Sequence, residues 1–120
     1  MRAKQLLKRY AAGERKFSDA DLRGADLRGV DLSNVEFVNS TFDGANLSRA
    51  NLTNTAISET DLNEVNFVGT NFQGAQLTAL NMNQSDFSRA TFDVTRLHSV
   101  SFLSANLQGA TLYSASLFGV

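Results

Sequence analysis

The chain has 120 residues, of which 42% are hydrophobic and 19% charged, enough apolar material for one domain with a core and too much for a disordered chain. It contains no Cys, no Pro, no Trp and one His, which excludes disulfides, thiolate metal sites and thiol nucleophiles. Its net charge of −1 hides a gradient: residues 1–16 carry +5 (six Lys and Arg against Glu14), residues 17–120 carry −6, and Leu97 to Val120 carry no charged side chain at all.

The amino-terminal MRAKQLLKRYAAGERKF is basic, but its longest apolar run is Leu6-Leu7, so it lacks the core of a secretory signal. No segment approaches the roughly 20 apolar residues of a membrane span. These features lead us to expect a cytoplasmic protein. Residues 3–12 fit an amphipathic helix, with Ala3, Leu6, Leu7, Tyr10 and Ala11 on one stripe and Lys4, Lys8 and Arg9 opposite, stopped by Gly13.

From Phe17 a large apolar residue recurs every five positions, through Leu22, Leu27, Leu32, Phe37 and Phe42 to Phe67, Phe72, Phe87, Phe92 and finally Leu117, 21 times without a gap. Two positions before each, from Ala20 to Ala115, the residue is Ala, Ser, Thr or Val in 19 of 20 cases, and Leu80 is the exception. A period of five suits neither common element. On an α-helix it would rotate successive large residues by about 140°, and in a flat strand an odd step would alternate their face. Both would leave about half of them in water. A chain that turns a corner at every repeat instead points each large residue and its small companion inward, and stacked coils then supply one another's hydrogen bonds. Leu80 beside Met82 over-fills one corner, where a local bulge is expected.

The units ADLRG, ANLSR, ANLTN and ANLQG resemble the A-(D/N)-L-x-x unit of pentapeptide-repeat proteins, and the resemblance covers Phe17 to Leu117. The leader LLKRYAAGERKF resembles the one common in cyanobacterial members. The resemblance implies an all-β, right-handed quadrilateral β-helix with four repeats to a coil. Twenty-one repeats then make about five coils, a tower about 24 Å tall at the roughly 4.8 Å spacing of strands. Residues 1–13 become a capping helix with Leu6 and Tyr10 inward, and residues 14–120 the β-helix. With a 20-residue coil, Phe67 and Phe72 would stack under Phe87 and Phe92.

The outward residues offer little chemistry. His98 is a lone imidazole next to an inward Leu97, and no carboxylate, second His or Cys pairs with it, so neither a catalytic nor a metal site is expected, and no cofactor. Asp21, Asp26, Asp31 and Glu36 look like an acidic stripe but fall on four different faces, forming a ring near the lid. Some relatives that confer quinolone resistance protect gyrase by resembling B-DNA with acidic faces. Read at 20-residue steps, though, no column here holds more than two carboxylates, which argues against a sustained field. Stacked Asn46 over Asn66 and Asn51 over Asn71 are expected to hydrogen-bond between coils, and Arg23, Arg28 and Arg49 to pair with nearby acids. The basic leader is expected to be a solvated face, not a nucleic-acid site.

The charge-free last coil carries Leu103, Tyr113 and Phe118 at outward positions. They are expected either to form a protein interface, as a homodimer or an end-to-end stack, or to fold over the open end and cap it. The functional expectation is a non-catalytic scaffold or protein-interaction module with an unidentified protein partner; the alternative is a DNA-mimicking protector of gyrase.

Overall fold

The computed structural model describes all 120 residues. Helix α1 spans Ala3–Ala11 and is followed by β1 (Lys16–Ser18), β2 (Glu36–Val38), β3 (Ala56–Ser58), β4 (Gln76–Asn81), β5 (Arg96–Ser101) and β6 (Ser116–Phe118). The strands form one parallel sheet in sequence order, and every pair is offset by 20 residues, as in Phe17↔Phe37 and Leu77↔Leu97. The other three sides are joined by single bridges at the same offset, for example Asp21↔Thr41, Asp26↔Asn46 and Asp31↔Asn51. Four repeats therefore close one coil, and the chain is a four-sided solenoid 33 Å long and 23 Å across.

The five-residue period has a backbone cause. One residue per repeat, two after each large one, sits at positive φ, from Asp19 to Gly119. Each such residue reverses the chain locally. At most corners the next amide closes a turn, as where Ala25 N donates to Leu22 O at 3.1 Å. Between turns the amide of the large residue bonds the coil above, Leu22 N to Thr41 O at 2.8 Å, and the next coil's amide reaches back, Thr41 N to Ala20 O at 3.0 Å.

Large residues fill the interior from Leu6 and Phe17 to Leu97 and Val100 in one continuous core. Phe67 lies parallel to Phe87 with ring centroids 4.9 Å apart, and Phe72 on Phe92 at the same distance. The Thr and Ser that replace Ala as small fillers bring a hydroxyl inside, and each needs an acceptor. Thr70 Oγ1 donates to Leu47 O at 2.7 Å, Ser85 Oγ to Leu62 O at 2.7 Å and Thr95 Oγ1 to Phe72 O at 2.8 Å. No buried side-chain nitrogen or oxygen lacks a partner.

The expected bulge at Leu80 does not form. Leu80 is buried and pairs with Val100, and the ladder continues around the corner, skipping Ala79 and Ser99 on both coils. Equal numbers of residues are passed over on each strand, so no residue is extruded. The larger filler is met by Val100 above it and by strands extended to six residues.

Helix α1 closes the first coil. Leu6 is fully buried, while Met1, Ala3, Leu7 and Tyr10 pack against the same core. Lys8 and Arg9 lie in its last turn, where the helix dipole favours cations, and Gly13 at φ +102° ends it. Met1 O accepts from Asp21 N at 2.9 Å, which continues the inter-coil bonding onto the lid.

Candidate functional site: the side faces and the open end

The outward residues of coils one to four mostly hold the wall together. Asn46 Oδ1 accepts from Ser48 N, Asn51 Oδ1 from Thr53 N, Asn66 Oδ1 from Val68 N and Asn71 Oδ1 from Gln73 N, each at 2.9–3.0 Å. The stacked Asn therefore do not bond between coils, as the sequence had suggested. Each side-chain carbonyl reaches an amide two residues ahead, which the turn brings closer than the next coil's amide. Side-chain links between coils come from other positions. Asp43 Oδ1 accepts from Asn63 N at 2.9 Å, Asp93 Oδ1 from Tyr113 N at 3.0 Å, and Asn39 Nδ2 donates to Asp19 Oδ1 at 2.7 Å.

The acidic ring near the lid is present but partly neutralised. Arg23 grips Asp21 with Nε and Nη2 at 2.8 and 2.9 Å, and Arg28 grips Asp26 likewise at 2.8 Å. Those guanidinium hydrogen bonds hold both carboxyls below the ordinary carboxylate range, and the Ser33 amide, first among several causes, does the same for Asp31. All three sit at the surface, so these pairs add little stability. Arg49 makes no ion pair. It lines a shallow polar depression of about 510 Å³ with Asp26, Arg28, Gly29 and Ser48, and its stem lies against Gly69 in the next coil.

At the lid, Tyr10 Oη donates to Ser33 O at 3.0 Å, while the Arg15 guanidinium covers the Tyr10 ring at 3.7 Å and donates to Tyr10 O at 2.8 Å. Sequence reading placed Leu6 and Tyr10 inward but missed Arg15, counting it only as charge. The signal available was a cation five residues after an aromatic one, across a glycine stop.

The far end is different. Phe102 is half-buried, and the large residues Leu107, Leu112 and Leu117, which hold inward positions, are 38%, 42% and 55% exposed because no coil lies above them. Leu103, Tyr113 and Phe118 point outward and are 69%, 78% and 70% exposed. They do not fold over the end, so the self-capping expectation fails. Outward side chains stand roughly perpendicular to the wall and cannot reach across its rim. Phe118 instead lies beside His98, with ring centroids 5.0 Å apart. His98 has no catalytic company there, and no three His, Cys, Asp or Glu residues come together anywhere in the chain. No helix is long and apolar enough to cross a membrane.

The profile of pentapeptide repeats matches residues 16–54, 57–93 and 81–119, with eight copies. Among solved structures, alr5209, a pentapeptide repeat protein from Nostoc PCC 7120, is 31% identical with a TM-score of 0.66 over 92% of this chain and 74% of its own. QnrB1, a plasmid-mediated fluoroquinolone resistance protein, is 25% identical with a TM-score of 0.61 over 88% of this chain, which spans 64% of QnrB1. A pentapeptide repeat protein of the Arabidopsis thaliana thylakoid lumen, 21% identical with a TM-score of 0.50 over 73% of this chain and 65% of its own, shares the fold. No curated protein sequence matches the chain.

Proposed function

Because the chain belongs to the pentapeptide-repeat family, we propose that it acts as a non-catalytic scaffold that binds another protein, in the cytoplasm, through its flat side faces. The observation that supports this reading is how its outward polar groups are used. Asn46, Asn51, Asn66, Asn71, Asp43 and Asp93 direct their side-chain oxygens to backbone amides, and the interior is filled with Leu and Phe. What remains for a partner is a set of rigid, flat surfaces with fixed side-chain spacing, the kind of surface solenoids present to other proteins. A pull-down of soluble proteins on the wild-type chain, compared with variants carrying Arg49→Glu and Arg89→Glu on one face, tests it. Partner loss with the variants supports the reading, and identical recovery with an unrelated β-solenoid of the same charge refutes it.

The similarity to QnrB1 supports a second reading, in which the tower is a DNA mimic that inhibits or protects a type II topoisomerase such as gyrase. The carboxylate pattern weighs against it. The bridged columns Asp21, Thr41, Asp61, Asn81 and Asp26, Asn46, Asn66, Asp86 hold two acids each, against one phosphate per ≈1.7 Å of duplex. Gyrase supercoiling unchanged by a stoichiometric excess of the protein removes this reading.

A further inference from the structure

We propose that one of the four side faces, built from residues 25–29, 45–49, 65–69, 85–89 and 105–109, binds an acidic α-helix of a partner protein laid along the tower. The inference rests on the scaffold reading and names the face and the chemistry of the partner.

The residues at positive φ form four columns, one to each corner, because each coil closes after 20 residues. One column reads Gly29, Arg49, Gly69, Arg89, Gly109, and Arg adopts this conformation nowhere else in the chain. The alternation has a steric use. The Arg49 stem lies over Gly69 and the Arg89 stem over Gly109, with Cγ 3.3 and 3.2 Å from where a Cβ would stand. A side chain at either glycine would lift the stem off the wall. On the other side of Arg49, around Gly29, the space is open. Two exposed guanidiniums are thereby laid on one line, two coils or roughly 9.6 Å apart.

Neither of them has a carboxylate. The chain's three ion pairs are Arg9–Glu14, Arg23–Asp21 and Arg28–Asp26. On this face Asp26 is therefore taken by Arg28, while Asp86 accepts from the amide of Ser88 at 3.0 Å and from its hydroxyl. Three Arg against Asp26 and Asp86 leave the face at +1, the only positive one of the four. The face on one side carries Arg23 against Asp21, Asp43, Asp61 and Glu64, or −3, and the face on the other carries Asp31 and Asp93, or −2. A complementary ligand must therefore be acidic and also narrow, since a broad polyanion such as a nucleic acid duplex would overlap the acids on both flanks. Each free guanidinium borders a shallow depression, of about 510 Å³ at Arg49 and about 410 Å³ at Arg89, in which a carboxylate can seat.

The backbone of the face selects a helix. Gly29 N donates to Ser48 O, Arg49 N to Val68 O, Gly69 N to Ser88 O and Arg89 N to Gln108 O, each at 2.8–2.9 Å. The tower thus spends these amides on its own coils, and an added strand would find no such edge to pair with. An α-helix brings a main chain that is already satisfied. At 1.5 Å per residue, its side chains at i and i+7 share one face about 10.5 Å apart, which matches the spacing of the two guanidiniums. Between Arg49 and Arg89, in the third coil, stands the half-buried Val68. The pattern that fits is an acid at i, an apolar residue at i+3 or i+4 and an acid at i+7.

The test uses an alanine-rich helical peptide with Glu at i and i+7 and Leu at i+4, titrated at millimolar concentration into the isotope-labelled full chain and followed by NMR. Amides of residues 46–49, 66–69 and 86–89 should shift, and those around Asp61 and Asp93 on the flanking faces should not. Arg49→Gln with Arg89→Gln should weaken binding about tenfold while leaving the circular dichroism spectrum unchanged. Arg49→Glu with Arg89→Glu should instead select the peptide in which Lys replaces both Glu, a reversal that loss of structure cannot produce. Absence of shifts on this face overturns the proposal, as does equal binding of a peptide with Glu at i and i+5, on opposite sides of the helix. A protein partner that the Arg49→Glu, Arg89→Glu chain still retains in the pull-down overturns it too, and leaves the scaffold reading standing on another face.

Discussion

Truncating Phe87 to Ala tests the packing directly. Its ring is fully buried and touches four others: Phe67 at 4.9 Å and nearly parallel, Phe92 and Phe102 at 5.4 Å, and Phe72 at 6.2 Å. A buried Phe→Ala costs about 3–5 kcal/mol in transfer and cavity terms. The aromatic pairings, each worth about 0.5–1.5 kcal/mol beyond area, put this site near the upper end. The walls cannot collapse to fill the space, because every backbone segment around it is fixed at the inter-coil spacing by two sets of hydrogen bonds. With an unfolding entropy of roughly 2.1 cal/mol/K per residue over 120 residues, a loss of about 4 kcal/mol lowers the melting temperature by about 15 °C. The matched comparison is Leu112→Ala, which holds the same five-residue register but lies at the open end, 42% exposed. It should cost about 1 kcal/mol. Urea and thermal denaturation followed by far-ultraviolet circular dichroism give both values. Equal losses for the two variants would refute the reasoning, since register alone, and not burial, would then set the energetics.

Other perturbations address the turns and the charge. Val94 is β-branched yet sits at φ +58° on the surface, so Val94→Asn, a residue that visits that conformation readily, should raise stability by about 1 kcal/mol and the melting temperature by about 4 °C. Gly74 sits at φ +74°, and a Cβ there would run into Asn54 Oδ1. Gly74→Ala should therefore destabilise by about 1–2 kcal/mol, and the double change Gly74→Ala with Asn54→Ala should recover the steric part of that loss in equilibrium unfolding. Asp21, Asp26 and Asp31 titrate below the ordinary range in the folded chain, so their contribution is complete above about pH 4 and lost as pH falls through the lower folded values. NMR titration should show the Asp21 carboxyl moving up toward the ordinary value in Arg23→Ala, and an unmoved Asp21 would discount the bidentate pair.

The parts of this fold legible in the sequence are those fixed by burial. A large residue every five positions has only one way to avoid water, and Phe67 over Phe87 and Phe72 over Phe92 follow once four repeats close a coil. The number of sides came from family resemblance, because periodicity alone does not set the corner angle. The signal for that angle was nevertheless present. The residues two after each large one include Gly24, Gly29, Gly44, Gly69, Gly74, Gly109 and Gly119, and all share positive φ with Asn, Ser and others between them. The roles of the Asn side chains were not legible, since the pattern offers Asn51 both an amide two residues on and a stacked Asn71 twenty residues on, and only the turn geometry makes Thr53 N the nearer donor. At the candidate interface the sequence located Leu103, Tyr113 and Phe118 but not whether they cover the end. That depends on where each side chain leaves the wall, and all three leave it sideways.

The 20-residue offset shared by every bridge carries a consequence for how such a tower can be lengthened or shortened. Adding or removing a single five-residue unit would keep the wall sound, since each unit brings its own large and small inward pair. It would, however, swing everything beyond it through a quarter turn. Asp86 would leave the face of Asn66 for the neighbouring one, and the aromatic rings of Phe72 and Phe92 would no longer share a column. Only whole coils can be gained or lost without rewriting the faces, so the smallest change in length that preserves a surface partner is four units, not one.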